Sequence, residues 1–128
     1  MSSEATPAAT PSAPTAPVAS PNLVNYDTFA KLELRVANVL EAREHPNANK
    51  LLLIKIKVGD VEKQIVAGIR GHYDPQALVG RQVIVVNNLQ PAMIRGEESN
   101  GMLLAASDEQ GVVLLRPDRE TVCGSKVK

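Results

Sequence analysis

The sequence has one cysteine, no tryptophan and no long apolar run among its 128 residues. Cys123 alone excludes an internal disulfide and cannot supply a structural zinc site, which needs several ligands. No run of 18 apolar residues is present to span a membrane, and the N-terminus lacks the apolar core of a signal peptide. We therefore expect a soluble, cytoplasmic protein without membrane contact.

The sequence also has no excess of positive or negative charge and few aromatic side chains. Basic and acidic residues number 14 each, so the formal net charge is zero and bulk electrostatics favour no particular partner. The aromatic residues are only Tyr26, Phe29 and Tyr73. Because proteins that bind single strands stack bases on aromatic rings, any nucleic acid bound here would be recognised by shape and backbone.

Motifs for catalysis are missing as well. The sequence has neither a phosphate-binding loop of the Gly-x-x-x-x-Gly-Lys type nor a Gly-x-Gly-x-x-Gly fingerprint. The segment Gly96–Gly101 is one residue too long for a nucleophile elbow, and it lacks the strand-to-helix context. His45 and His72 are too far apart, with too few neighbouring ligands, to indicate a metal site. We predict no catalytic residues, no metal and no cofactor.

The first 22 residues differ from the rest of the chain. They hold five of the nine prolines and six alanines, so they cannot bury a core. We predict a disordered linker over residues 1–22, with an ordinary frayed terminus as the alternative. From Tyr26 apolar and charged residues alternate, and a single domain is expected over residues 23–128.

The domain is predicted to be all-β with two short helices. Asn25 or Asp27 is expected to cap a helical turn over 27–32, and Gly59-Asp60 to form a hairpin turn. His45 is expected to be solvated or capping in a turn. The six predicted strands are 34–40, 53–58, 62–67, 81–87, 102–106 and 112–115. The second helix is predicted over 75–79, and a long polar loop over 88–100.

Three strands, a short helix and two more strands follow the order of the five-stranded oligonucleotide-binding (OB) barrel, here with an extra C-terminal hairpin. An SH3-like small barrel is the alternative. In an OB barrel the loops after strands 1 and 4 bind ligand, which here are 45–50 and 88–100. Lys50 and Arg95 lie in these loops, while Lys31 and Arg35 flank the entry to strand 1. These cations are predicted to converge on one face and contact phosphates.

Three ordered motifs carry a resemblance to a known family: 29–36, 45–51, and 88–91 continuing to 95–106. Together they resemble the tRNA-binding domain found at the C-terminus of methionyl-tRNA synthetases and in free-standing tRNA-binding proteins. The resemblance runs from about Tyr26 to Lys128. It implies an OB-type barrel that forms a homodimer and holds the elbow side of tRNA with little regard to sequence.

The resemblance also implies a set of tRNA-contacting positions. They are Lys31, Arg35, Lys50, Asn88, Arg95, Ser99 and Met102. Met102 has a structural alternative, in which it lines the barrel mouth beneath the loop. The chain departs from the family at Asn49, where Asp is common, and at Gln90, Ala92 and Met93, where basic residues are common. These departures imply a weaker hold on phosphates.

The function expected from the resemblance is that of a non-catalytic tRNA-binding domain or subunit of methionyl-tRNA synthetase, which holds tRNA near the catalytic domain. The main alternative is a peptide-binding dimer similar to the chaperone CsaA. A cytokine-like fragment, as in some animal synthetase-associated relatives, is less favoured because little sequence follows the barrel.

Overall fold

The computed structural model describes residues 22–128, so the linker predicted for residues 1–22 lies, apart from Asn22, outside the described part. The short helix α1 spans Tyr26–Phe29. Its N-cap is Asn25, whose side chain accepts a hydrogen bond from the Thr28 amide at 2.8 Å. Asn25 is therefore the cap, and the helix ends three residues earlier than the 27–32 turn predicted.

A strongly curled antiparallel sheet forms the body of residues 31–128. The strands of residues 31–128 are β1 (Leu34–Glu44), β2 (Leu52–Val58), β3 (Val61–Ala67), β4 (Gln82–Val86), β5 (Ala92–Ile94), β6 (Glu97–Ser99), β7 (Met102–Leu103), β8 (Ala105–Asp108), β9 (Gly111–Leu114) and β10 (Lys126–Val127). The sheet has the order β3-β2-β1-β4-β7, with β10 also paired to β1. A bulge between Val39 and Glu41 breaks the β1–β2 register, and such bulges bend a strand.

The sheet curls until its two outer strands meet. The Asn100 amide donates to the Gln64 carbonyl oxygen at 2.8 Å, and the Val66 amide donates to the Ser99 hydroxyl at 3.0 Å. The segment beside β7 thus lies against β3 and brings the two edges of the sheet together. This arrangement confirms the predicted all-β fold with an OB-like barrel.

The core fills the inside of this barrel. Ile54, Ile56 and Val58 alternate with outward-facing lysines along β2, as the sequence alternation predicts. Helix α2 (Pro75–Leu78) begins where Asp74 accepts a hydrogen bond from the Gln76 amide, and its Leu78 is fully buried in the core. The predicted short helix is therefore confirmed.

Two further predicted segments differ from the structure, and β1 extends to Glu44, beyond the predicted 34–40. The polar loop 88–100 contains a small hairpin, in which β5 pairs with β6. The strand predicted over 102–106 is broken at Leu104: residues 102–103 pair with β4, and 105–108 leave the sheet to pair with β9. The Leu104 amide donates to the Ile84 carbonyl oxygen, while its own carbonyl accepts from the Leu115 amide, so the chain divides its bonds between two sheets.

The C-terminal segment closes the fold. Strand β10 pairs with Leu34 and Arg35 at the beginning of β1, and the Gly124 amide donates to the Val36 carbonyl oxygen at 2.7 Å. Gly124 has φ +90°, and a Cβ there would lie 2.8 Å from the Cα of Gly59. Only glycine fits this close approach of two backbones. In residues 22–128 no helix has the length and apolar character needed to cross a membrane.

Candidate functional site

The tip of the β5–β6 hairpin is a two-residue turn, Arg95-Gly96. Its φ angles are +54° and +90°, as a type I′ turn requires. Glycine adopts this backbone freely, whereas a residue with a side chain is strained there by roughly 1 kcal/mol or more. The hairpin therefore places an arginine where Asn or Gly would be easier. Its guanidinium Nη2 donates to the Asn47 carbonyl oxygen at 3.1 Å, across to the β1–β2 loop.

His45 makes a second connection between the same two segments. Its side chain is buried, with 2% of its surface exposed. Nδ1 lies 2.9 Å from the Asn47 amide nitrogen, which can only donate, so Nδ1 accepts. Nε2 therefore carries the proton and donates to the Ile94 carbonyl oxygen at 3.1 Å. The prediction of a solvated or capping turn histidine is wrong about solvation, because the loop folds over the ring to satisfy both nitrogens.

Arg70 fixes the other side of the β1–β2 loop. Its Nη1 donates to the Ala48 carbonyl oxygen at 3.0 Å, and its Nη2 forms an ion pair with Glu44 at 3.0 Å. Loop 45–50 is thus held from β5 and from the segment after β3. Its backbone is already organised for binding, which lowers the entropy that a ligand must remove.

These contacts leave an open cavity of about 370 Å³ between the loop and the hairpin. Lys50 and Arg95 both line it and both are exposed. Among residues 22–128, neither forms an ion pair with a carboxylate. The structure therefore brings these two predicted residues together, and their charges are available to an anionic ligand.

An apolar groove of about 400 Å³ adjoins the cavity, and Leu51 lines both. Met102, half-exposed at 49%, lies in its wall with Leu89 and Ile94. Ser99 also lines the groove but is 4% exposed, and its hydroxyl accepts from the Val66 amide and donates to the Gly101 carbonyl oxygen at 3.0 Å. Ser99 is therefore occupied in joining the barrel edge to the loop.

Asn88 and Lys31 meet at the end of β4. The Asn88 side chain accepts from the Glu33 amide at 2.8 Å and donates to the Lys31 carbonyl oxygen at 2.7 Å. Both polar atoms of this amide thus hold the chain that leads into β1. The Lys31 side chain itself is exposed.

Arg35 is not brought to the cavity. It lies near the beginning of β1, whereas loop 45–50 follows the end of that strand. Its Nη1 donates to the Gly124 carbonyl oxygen at 3.1 Å, and its Nε lies 3.6 Å from Glu33. Arg35 therefore ties the C-terminal segment to β1, a role that no sequence pattern indicates.

Glu33 is the centre of a polar cluster that sequence reasoning missed. A hydrogen bond from the Asn87 side-chain amide holds the pKa of Glu33 below its usual range, and the charges of Arg35 and Lys63 act in the same direction, against partial desolvation. Lys63 in turn donates to the carbonyl and side-chain oxygens of Asn87. No three His, Cys, Asp or Glu side chains within residues 22–128 are placed to hold a metal ion.

Residues 34–126, which include the loop, the hairpin and the cavity between them, match the family model described as "Putative tRNA binding domain". The chain belongs to this family of tRNA-binding domains. The methionine–tRNA ligase of Thermococcus kodakarensis is 46% identical to the chain over 105 residues. That stretch is 82% of this chain but 14% of the ligase, so this tRNA-binding domain spans about one seventh of the length of such relatives.

Two solved structures resemble this tRNA-binding domain over nearly their whole length. A protein related to methionyl-tRNA synthetase from Pyrococcus horikoshii superposes with a TM-score of 0.78 at 34% identity, covering 84% of this chain and 99% of that one. The chaperone CsaA from Bacillus anthracis gives a TM-score of 0.75 at 31% identity, covering 83% and 99%. The domain is therefore related both to synthetases and to free-standing proteins.

Proposed function

We propose that the chain is a non-catalytic tRNA-binding module that assists methionyl-tRNA synthetase in the cytoplasm. The observation that carries the proposal is the cavity lined by Lys50 and Arg95, two cations without carboxylate partners among the described residues. Cations of this kind contact phosphate oxygens and fix the register of a nucleic acid without reading its sequence.

Shape contributes as much as charge to the proposed binding. The positions near the cavity where the family commonly has basic residues are uncharged here: Gln90, Ala92 and Met93. The two loops are nevertheless rigidly joined through His45 and Arg95. A fixed surface with few charges suits a folded RNA, whose phosphates have fixed positions, better than a flexible strand.

The seven proposed tRNA-binding residues divide by role. Lys50 and Arg95 contact phosphates at the cavity, and Lys31 and Arg35 contribute charge near β1. Met102 packs against the RNA or lines the groove beneath it. Asn88 and Ser99 act mainly by holding the loop backbone, because their side-chain polar atoms are already bonded inside the barrel.

The proposed mechanism is tethering. A tRNA-binding module attached to or associated with the catalytic domain of methionyl-tRNA synthetase raises the local concentration of tRNA. We further propose a homodimer, which doubles the number of binding sites. The β8–β9 hairpin and the residue after it expose Val113 and Leu115, at 49% and 42% of their surface, which suits burial against a second copy.

Titration with tRNA at several salt concentrations tests this function. The logarithm of the association constant should fall linearly with the logarithm of salt concentration, because phosphate contacts release counterions. Lys50→Gln combined with Arg95→Gln should lower both affinity and slope. A matched double variant, Arg43→Gln with Lys55→Gln, removes two cations from the outer face of β1 and β2 and should bind normally. Binding that ignores salt, or that both double variants weaken equally, contradicts the proposal.

A second candidate function is peptide binding of the kind suggested by the similarity to CsaA. The apolar groove lined by Leu89, Ile94 and Met102 favours it, because such a groove accepts an apolar side chain of an extended peptide. A reduced, unfolded polypeptide should then bind, and Leu89→Gln should weaken that binding while leaving tRNA affinity near wild type. Binding of tRNA without measurable polypeptide binding rejects this candidate.

A further inference from the structure

Three arginines lie together away from the cavity described above. Arg116 and Arg119 follow β9, and Arg81 precedes β4, so they come from two segments far apart in sequence. They line one open cavity of about 330 Å³, together with the carboxylates Asp118 and Glu120. None of the residues that line this cavity lines the Lys50 cavity or the apolar groove.

Gln82 is the reason that the two segments meet. Its side-chain amide donates to the Thr121 carbonyl oxygen at 2.6 Å and accepts from the Thr121 amide at 3.0 Å. It also donates to the Asn38 side chain at 3.0 Å, so both of its N–H donors and its oxygen are bonded to β1 and the C-terminal segment. These bonds hold Thr121 beside the start of β4, and with it the preceding segment that carries Arg116 and Arg119.

The three guanidinium groups are largely free to bind a ligand. Among residues 22–128, none of them forms an ion pair with a carboxylate, although two carboxylates line the same cavity. Arg81 lies 5.8 Å from the ring centre of Tyr73, which orients it, and Arg119 donates only to the adjacent Glu120 carbonyl oxygen. Each guanidinium carries five N–H donors, so most of these donors face solvent.

The donor geometry points to phosphate. The planar guanidinium matches two oxygens of one phosphate group, and Arg is favoured over Lys wherever such paired bonds are formed. All three cations of this cavity are arginines. With Asp118 and Glu120 in the same lining, the cavity keeps a net charge of about +1, the sign that attracts a phosphodiester.

The spacing along the barrel suits a nucleic acid that reaches both sites. Gln82 pairs with Asn38 on β1, while loop 45–50 begins seven residues further along the chain. At about 3.3 Å per strand residue, the separation is on the order of 20 Å. A helical stem of several base pairs spans a distance of this order, so one folded RNA can reach both sites.

We infer that Arg81, Arg116 and Arg119 form a second phosphate site that contacts the tRNA backbone. This inference rests on the proposed function and adds to it a contact surface on the C-terminal segment. The family resemblance assigns no role to any of these three residues. The site explains how a chain with a neutral overall charge and uncharged loop positions holds a polyanion: its cations are divided between two places.

The experiment measures tRNA affinity of the full chain across a salt series. Arg116→Gln with Arg119→Gln should lower the salt slope by roughly 1 to 2 and weaken binding severalfold at low salt, since each phosphate contact contributes about 0.9 to the slope. Asp118→Asn with Glu120→Gln should strengthen binding, because it removes the competing carboxylates. The matched control is again Arg43→Gln with Lys55→Gln. Thermal unfolding checks that all variants remain folded.

The outcomes separate this inference from the proposed function. If wild type shows no salt-dependent tRNA binding, both fail. If Lys50→Gln with Arg95→Gln weakens binding while Arg116→Gln with Arg119→Gln matches the wild type, only the second site is wrong. The last experiment titrates the chain with inorganic phosphate and follows the arginine Nε–H signals by NMR. Phosphate binding without any effect of the arginine pair on tRNA overturns the backbone contact, because the site then serves a small phosphate.

Discussion

The guanidinium of Arg95 donates a hydrogen bond to the backbone carbonyl oxygen of Asn47, 3.1 Å away. This bond joins the β5–β6 hairpin to the β1–β2 loop, two segments that approach each other only in the folded barrel. In this position Arg95 has a left-handed backbone, with φ +54°. A residue with a strained backbone and an exposed, positively charged side chain next to a cavity is the pattern expected of a binding residue.

Arg95→Asn should separate stability from binding. Asparagine adopts the left-handed conformation readily and makes Asn-Gly, the preferred type I′ pair, so the relief of strain, about 1 kcal/mol, should offset the lost bond to Asn47 and leave stability near wild type. The tRNA affinity should fall because the charge is lost. Thermal unfolding and a tRNA titration measure the two effects. Arg95→Lys, which keeps the charge and the strain, should bind closer to wild type; equal affinity of Arg95→Asn and wild type would refute the role of the charge.

Ser99→Ala should destabilise the barrel by about 1 to 3 kcal/mol, because the buried Val66 amide loses its acceptor. Denaturant unfolding measures this loss. The control is Ser107→Ala, at an exposed position of β8, which should change stability by less than about 0.5 kcal/mol. If the two variants are equally stable, the hydroxyl of Ser99 does not hold the barrel edge.

His45→Ala should release the β1–β2 loop from the hairpin. The substitution removes the acceptor for the Asn47 amide and the donor for the Ile94 carbonyl oxygen. Hydrogen exchange at the Asn47 amide should accelerate, and tRNA affinity should fall although no charge has been removed. His72→Ala, at an exposed histidine, is the control and should leave that amide protected. Unchanged exchange in His45→Ala would show that other contacts fix the loop.

Glu33 should make stability depend on acid. Because the Asn87 amide lowers the pKa of Glu33 below its ordinary value, the folded state binds the proton less readily than the unfolded state. The carboxylate therefore stabilises the fold above the unfolded pKa, and this contribution disappears as pH falls through the lower, folded pKa. Glu33→Gln should flatten the acid side of a plot of unfolding free energy against pH. Glu109→Gln, on an exposed turn, should not; identical curves for wild type and Glu33→Gln contradict the assignment.

Much of the fold could be predicted because its signals are local. Strand β2 follows from the alternation of apolar residues and lysines over 54–58, and the hairpin into β3 follows from Gly59, which has φ +63°. Helix α2 follows from a proline at its start with Asp74 as cap. Predicting that Lys50 and Arg95 converge also required the fold, because their proximity depends on the order of strands around an OB barrel and not on either residue.

The remainder could not be predicted because it depends on tertiary contacts. Residues 92–99 show no alternation, and an arginine at the first position of a type I′ turn is an unfavourable local choice, so the β5–β6 hairpin had no sequence signature. Strand β10 is two residues long and forms only because β1 offers a free edge. Ser99 and Asn88 are ordinary polar loop residues in the sequence, and only their partners reveal that they support the loops.

The pairing of β10 with the first residues of β1 sets a limit on how the chain folds during synthesis. Leu34 leaves the ribosome first among the strand residues, yet its partner Val127 follows 93 residues later in the sequence. At roughly 5 to 20 residues per second, this edge of β1 waits on the order of ten seconds for its partner. The Arg35 bond to Gly124 forms equally late. Arg116 and Arg119 are thus synthesised after the strands of the barrel, so the second phosphate site is completed later than the cavity lined by Lys50 and Arg95.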